Sequence, residues 1–258
     1  MDEVAIAFRG VTYRAHDRVL LGPLSLDVHR GETLVLLGRS GSGKTTALKL
    51  INRLLEESEG KLLVEGRPTR EWDVIMLRRH IGYVIQEIGL FPHYTVEKNV
   101  GLVPRLLGRP EAEIPERVES MLRLVDLEPE EFRGRYPHQL SGGQRQRVGV
   151  ARALAGDPAI LLMDEPFGAL DPLSRAELQQ QFLEIQKRVK KTTVLVTHDV
   201  GEALLLADRI ALLDGGKLLG IHSHAEFLES SDKTVAAYRA AWSRNLQFPG
   251  DDRHGGIS

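Results

Sequence analysis

The sequence contains no cysteine, which removes disulfides, thiolate metal sites and cysteine nucleophiles together and fits a reducing compartment. It has no apolar run near the roughly 20 residues that a membrane-spanning helix requires. Any membrane role is therefore expected to come through a partner. The start, Met1-Asp2-Glu3, lacks the basic flank that opens a signal peptide. Positive charge is not in surplus either: 34 Lys and Arg against 36 Asp and Glu leave a formal net charge of -2, whereas nucleic-acid binding usually needs a clear basic excess. No nucleic-acid partner is expected. Internal repeats are absent too. What remains, 42% hydrophobic and 27% charged residues over 258 positions, is ordinary for a globular protein and enough for one large or two small domains.

Residues 4–8 alternate, large side chains with alanine, and 32–37 form a compact apolar run between Gly31 and Gly38; both read as strands. Residues 46–55 have helical spacing without a breaker. Further strands are expected at 61–65 and 81–85, then a more helical insert over about 87–157, in which 115–125 has an amphipathic pattern. The runs at 160–163 and 193–196 are typical of buried parallel strands, and a long helical stretch, 173–189, separates them. Residues 249–258 combine Pro, Gly and charge without periodicity and read as a frayed tail.

The chemistry starts at Gly38-Arg39-Ser40-Gly41-Ser42-Gly43-Lys44-Thr45. This is the G-x-x-x-x-G-K-[ST] pattern, set between a strand and a helix that continues with Thr46. Its glycines let the backbone approach phosphate, Lys44 can reach the β and γ oxygens, and the Thr45 hydroxyl can ligate Mg²⁺ at a helix N-terminus that favours anions. On its own the loop identifies only a nucleotide-binding protein. At the end of the 160–163 strand, Asp164 can hold Mg²⁺ through water, which leaves Glu165 to accept a proton from the water attacking the γ-phosphate. A second glycine-rich element, Leu140-Ser141-Gly142-Gly143-Gln144, cannot belong to the first loop. A Ser/Gly helix cap is its plain reading; the other is a second anion cradle, with the Ser141 hydroxyl and the uncovered N–H groups of Gly142 and Gly143 ahead of a helix from Gln144.

In this combination the chain resembles the nucleotide-binding subunit of an ABC transporter over nearly its whole length. The resemblance rests on the phosphate loop, Asp164-Glu165, the signature 140–144, Gly168-Ala169-Leu170-Asp171, Thr197-His198-Asp199, and Gln86 in Tyr83-Val84-Ile85-Gln86-Glu87. It implies an α/β fold: a P-loop NTPase core of the ABC ATPase type with an N-terminal antiparallel β subdomain and an inserted α-helical subdomain. A nucleotide-binding domain is then expected over 1–230, with a short C-terminal helix and tail over 231–258. The cofactors implied are ATP and Mg²⁺. Gln86 would touch Mg²⁺ or the attacking water, His198 the γ-phosphate, and Tyr13 would stack on adenine. In the family the signature binds phosphate on the opposite subunit, so a second copy would pack head to tail with two ATP molecules between the chains, Asp171 helping to link the two sites. Transmembrane permease subunits would hold the chain peripherally at the cytoplasmic face of the cell membrane. The loop from Gln86 to Val96, with Ile88, Leu90, Phe91 and Tyr94, is the expected contact.

The segments from Arg79 to His93, Tyr136-Pro137-His138-Gln139, and from Met163 to Asp171 are similar to those of ATPases serving glycine betaine, carnitine and choline importers. That similarity implies uptake of a quaternary-amine osmoprotectant with a solute-binding protein in the complex. Many such ATPases continue into paired regulatory CBS domains; here only the short helix and tail are expected after 230. An importer for another small solute, or an ABC ATPase driving a lipid or cell-envelope complex, remains the alternative. A soluble ABC ATPase acting on DNA or ribosomes fits less well, because such proteins carry two sites per chain, long coiled coils or zinc modules.

Overall fold

The computed structural model describes residues 3–86 and 89–246; the expected tail at 249–258 and Ile88 of the loop after Gln86 lie outside the described residues. β1 (Val4–Ala15) and β2 (Arg18–His29) form an antiparallel hairpin closed by the pair Ala15 and Arg18. Its turn residues, His16 and Asp17, have φ of 46° and 63°, the mirror-image conformation whose twist suits a tight hairpin. That pairing extends β1 well past the 4–8 expected from alternation. β2 was not expected at all, because Gly22-Pro23 interrupts its apolar pattern and reads as a turn. β3 (Thr33–Leu37) leads through the phosphate loop into α1 (Lys44–Ile51), which ends at Asn52, before Arg53 at φ 52°, and so falls short of residue 55.

β4 (Glu59–Val64) and β5 (Arg67–Pro68) complete an antiparallel sheet in the order β2-β1-β4-β5. α2 (Val74–His80) starts at Asp73, whose side chain caps the N–H groups of Ile75 and Met76, and runs straight into β6 (Ile81–Val84). The chain is then helical: α3 (Val96–Val100), α4 (Leu102–Leu106), α5 (Ile114–Leu124), α6 (Pro129–Phe132) and α7 (Gly142–Ala155). β7 (Ile160–Asp164), α8 (Pro172–Val189), β8 (Thr192–Thr197), α9 (Val200–Leu206) and β9 (Arg209–Asp214) restore the alternation. β10 (Lys217–Ser223), α10 (His224–Glu229) and α11 (Lys233–Leu246) end the described chain. Among the described residues no helix is long and apolar enough to cross a membrane.

The second sheet has the order β10-β9-β3-β8-β7-β6, parallel throughout except for β10. Its central strands are buried on both faces, which is why they read as continuous apolar runs. Leu34 and Leu36 of β3 face a core shared with the antiparallel sheet, while Val35 and Leu37 face a core shared with the helices. β7 repeats the division, with Ile160 and Leu162 on one side and Leu161 and Met163 on the other. Each such side chain contributes about 1.5–3 kcal/mol on burial. The register also levels the strand ends: Leu37 pairs with Thr197, Val196 with Asp164, and Met163 with Val84. The residues that follow these strands therefore meet along one edge of the sheet, where open parallel sheets bind ligands.

Candidate nucleotide site

The phosphate loop is shaped by its contacts with neighbouring backbone. A Cβ on Gly38 would lie 2.2 Å from the carbonyl oxygen of Leu213, so no other residue fits there. Gly43 has φ 97° and its missing Cβ would press on the Leu20 carbonyl at 3.0 Å. Lys44 opens α1 and is nearly fully buried, its ammonium donating to the carbonyls of Gly38 at 2.7 Å and Arg39 at 2.8 Å. Burial pushes its pKa down, while the charges of Glu165 and Asp164 oppose that shift. The cavity above the loop, about 750 Å³, is lined by Arg39 to Thr46 together with Leu20, Gln86, Glu165, His198 and Tyr238.

Three of those lining residues come from strand ends. Gln86 follows β6, Glu165 follows β7 and His198 follows β8. The Glu165 carboxylate stands 3.5 Å from Gln86 Nε2 and 3.4 Å from His198 Nδ1. Glu165 has φ 44°, a left-handed conformation that costs a non-glycine residue about 1–2 kcal/mol, and its N–H is tied to the Val196 carbonyl at 3.0 Å. The strand below it is buried, so the strained turn is held from both sides. Asp164 accepts a hydrogen bond from the Thr45 hydroxyl at 2.9 Å. Burial raises the Asp164 pKa, partly offset by that hydrogen bond.

The signature lies elsewhere. Ser141 caps α7, its hydroxyl accepting from Gln144 N–H at 3.2 Å while Gln144 Oε1 accepts from Ser141 N–H at 2.9 Å, a reciprocal capping box. Gly142 and Gly143 pack beside Leu170 and Ser174, so the segment carrying Asp171 is next to the signature. Asp171 itself caps α8 by accepting from Ser174 N–H at 3.0 Å, and these hydrogen bonds lower its pKa. None of residues 140–144 lines the phosphate-loop cavity. Within one chain, the two glycine-rich cradles are separate.

Tyr13 sits opposite Leu21 in β1, beside the cavity-lining Leu20, and is half-buried against the core between the two sheets. The apolar side chain at the loop is Leu20, from the unforeseen strand β2. Sequence reasoning also missed Tyr238 on α11, Tyr83, whose hydroxyl bonds to Asp164 so that its pKa is raised by burial and by that charge, and Glu202. Glu202 is buried, accepts from the Thr197 hydroxyl at 2.5 Å and from Gln179 at 3.1 Å, and so fixes the turn that carries His198. Its position, four residues after His198 in a capped helix start, was the signal available.

This fold and this loop define a P-loop NTPase. The family described as ABC transporter matches residues 21–168. The glycine betaine/carnitine/choline transport ATP-binding protein OpuCA of Bacillus subtilis is 51% identical over 80% of this chain and 54% of its own length. The osmoprotectant import ATP-binding protein OsmV of Salmonella typhimurium is 50% identical over 85% of this chain and 56% of its own. The chain thus spans about half the length of these curated relatives. A solved structure, the dimeric post-hydrolysis state of the ATP-binding cassette MJ0796 bound to ADP and phosphate, matches with TM-score 0.75 and 33% identity, covering 85% of this chain and 98% of that one. The chain belongs to the ABC transporter family.

Proposed function

We propose that this chain is the ATP-hydrolysing subunit of an ABC importer that takes up a quaternary-amine osmoprotectant. It works at the cytoplasmic face of the membrane through permease subunits, with a solute-binding protein in the complex. The observation that carries the hydrolytic part is the convergence of Gln86, Glu165 and His198 from neighbouring strand ends on the cavity of the phosphate loop. The half-identical OpuCA and OsmV support the choice of solute class.

In this reading Lys44 exchanges the carbonyls of Gly38 and Arg39 for the β and γ oxygens of ATP, and the amides around Gly41 and Gly43 wrap the phosphates. Thr45 and Asp164 offer hard oxygen donors 2.9 Å apart, which suits Mg²⁺, with Gln86 also in reach of the site. The ion neutralises charge on the phosphates when bound. Glu165 orients a water and takes its proton, and His198 steadies both that carboxylate and the terminal phosphate.

The Ser141 cradle, remote from this cavity, serves the phosphate of a second copy packed head to tail. ATP should therefore drive dimerisation, and Ser141→Arg should block it by putting bulk and charge into the shared surface. Light scattering with and without Mg-ATP measures this; an ATP-driven dimer in the Ser141→Arg protein would count against the shared site.

The permease contact is assigned to the loop after Gln86 and the groove beside it. Buried Asn99 folds that loop: its Oδ1 accepts from Phe91 N–H at 2.8 Å and its amide donates to the carbonyls of Phe91, Tyr94 and Thr95 at 3.1–3.2 Å. Phe91 is left 41% exposed, in ring contact with Tyr94. The neighbouring groove, about 440 Å³, includes Ile75, Val103 and Leu106, and Ile75 and Leu106 are 56% and 51% exposed. Exchanging Phe91 and Tyr94 for Ser should spare the fold and the ATPase of the isolated chain while lowering glycine betaine uptake by reconstituted vesicles about tenfold or more, the usual effect of losing aromatic anchors. Unchanged uptake would remove the assignment.

A further inference from the structure

The segment after residue 230 reaches into the nucleotide cavity. Tyr238 of α11 lines that cavity and also an adjoining one of about 430 Å³ beside His198 and Asp199. Its hydroxyl oxygen accepts the backbone N–H of Arg39, the second residue of the phosphate loop, at 3.1 Å. The helix is well anchored for this. Val235 is buried, and Trp242, one turn beyond Tyr238, lies so close over Gly201 of α9 that an added Cβ there would be 3.2 Å from the indole nitrogen. α11 thus touches both the start of the phosphate loop and the start of the helix that follows His198.

The backbone of Arg39 is held on both sides of its Cα. Its carbonyl accepts from the Lys44 ammonium at 2.8 Å and from Ser42 N–H at 3.2 Å, and its N–H has Tyr238. When Lys44 turns to a phosphate, the first of these bonds is given up. The Tyr238 bond is then the one contact from outside the loop that keeps Arg39, and with it the entry to the loop, in place beside the bond from Ser42 N–H within it. We propose that Tyr238 is a positioning residue of the nucleotide site, holding the phosphate loop through Arg39 so that the C-terminal helix sets nucleotide affinity. This rests on the reading of the cavity as the ATP site.

Tyr238→Phe keeps the ring packing of α11 and removes only the hydroxyl. In the full chain it should raise the Kd for ATP and for ADP about three- to tenfold, the worth of one hydrogen bond that orders a binding loop, with KM rising more than kcat falls and the thermal midpoint unchanged. Because the chain has only two tryptophans, a Trp72→Phe background leaves Trp242 as the sole indole. Its emission should change on adding ATP, and the change should need higher ATP when Tyr238→Phe is added. Two results overturn the proposal: Tyr238→Phe binding both nucleotides like the parent, or Trp242 emission indifferent to saturating nucleotide. Lys44→Ala, measured alongside, separates the two readings. If it loses ATP while Tyr238→Phe does not, only the role of Tyr238 fails; if it binds ATP like the parent, both fail.

Discussion

Replacing Glu165 by Gln is expected to leave ATP binding intact and to slow phosphate release by roughly a hundredfold to ten-thousandfold, the usual worth of a positioned general base. That range corresponds to about 3–5 kcal/mol of activation free energy. The substitution is nearly isosteric. An amide at this position can still meet His198, which lies 3.4 Å from the present carboxylate, but it cannot accept a proton from water. The strained backbone of Glu165, φ 44°, is as accessible to Gln as to Glu, so loss of the fold is not the expected cause. Steady-state phosphate release and equilibrium nucleotide binding, measured on the same preparation, check both halves. A variant that turns over like the parent would mean that Glu165 is not the base.

The second large effect is expected at Lys44. Lys44→Ala should raise the Kd for ATP about a hundredfold or more, because it removes one partner of a buried, charge-assisted contact with phosphate, a loss of about 2–5 kcal/mol. Burial works against the ammonium, yet Glu165 and Asp164 favour the charged form. Circular dichroism should be unchanged, since α1 loses no intrahelical hydrogen bond and alanine is the strongest helix former. Binding within a few-fold of the parent would show that Lys44 does not grip the phosphates.

The linear parts of the site were legible in the sequence. The phosphate loop, the pair Asp164-Glu165 and the signature each depend on consecutive residues, and strands buried on both faces announce themselves as apolar runs, as β3, β7 and β8 do. The strand order was not legible in the same way. Glu165 and His198 flank the loop because β8 and β7 follow β3 in the sheet, although α1, the antiparallel strands and the helical insert separate them along the chain. Periodicity carries no record of such crossovers. The side to which Tyr13 turns was not legible either, because a half-buried strand aromatic has the same pattern whether it meets a ligand or a core; it is half-buried and packs in part against the core between the sheets. Gly22-Pro23 disguised β2 and with it Leu20. Tyr238 could not be found by any motif: its partner is a backbone N–H 199 positions away, and a main-chain group leaves no trace in the side-chain sequence.

The claim that one ATP site is built from two chains is tested most directly by mixing two inactive proteins. Lys44→Ala chains keep an intact signature, and Ser141→Arg chains keep an intact phosphate loop. Each alone should show almost no ATPase activity. Two Ser141→Arg chains put an Arg into both halves of the shared surface, whereas a mixed dimer carries it only in the half that also holds Lys44→Ala. In its other half an intact loop faces an intact signature, so phosphate release should recover to a measurable fraction of the wild-type rate. A mixture as inactive as its components, under conditions where the wild-type chain hydrolyses ATP, would contradict the shared site.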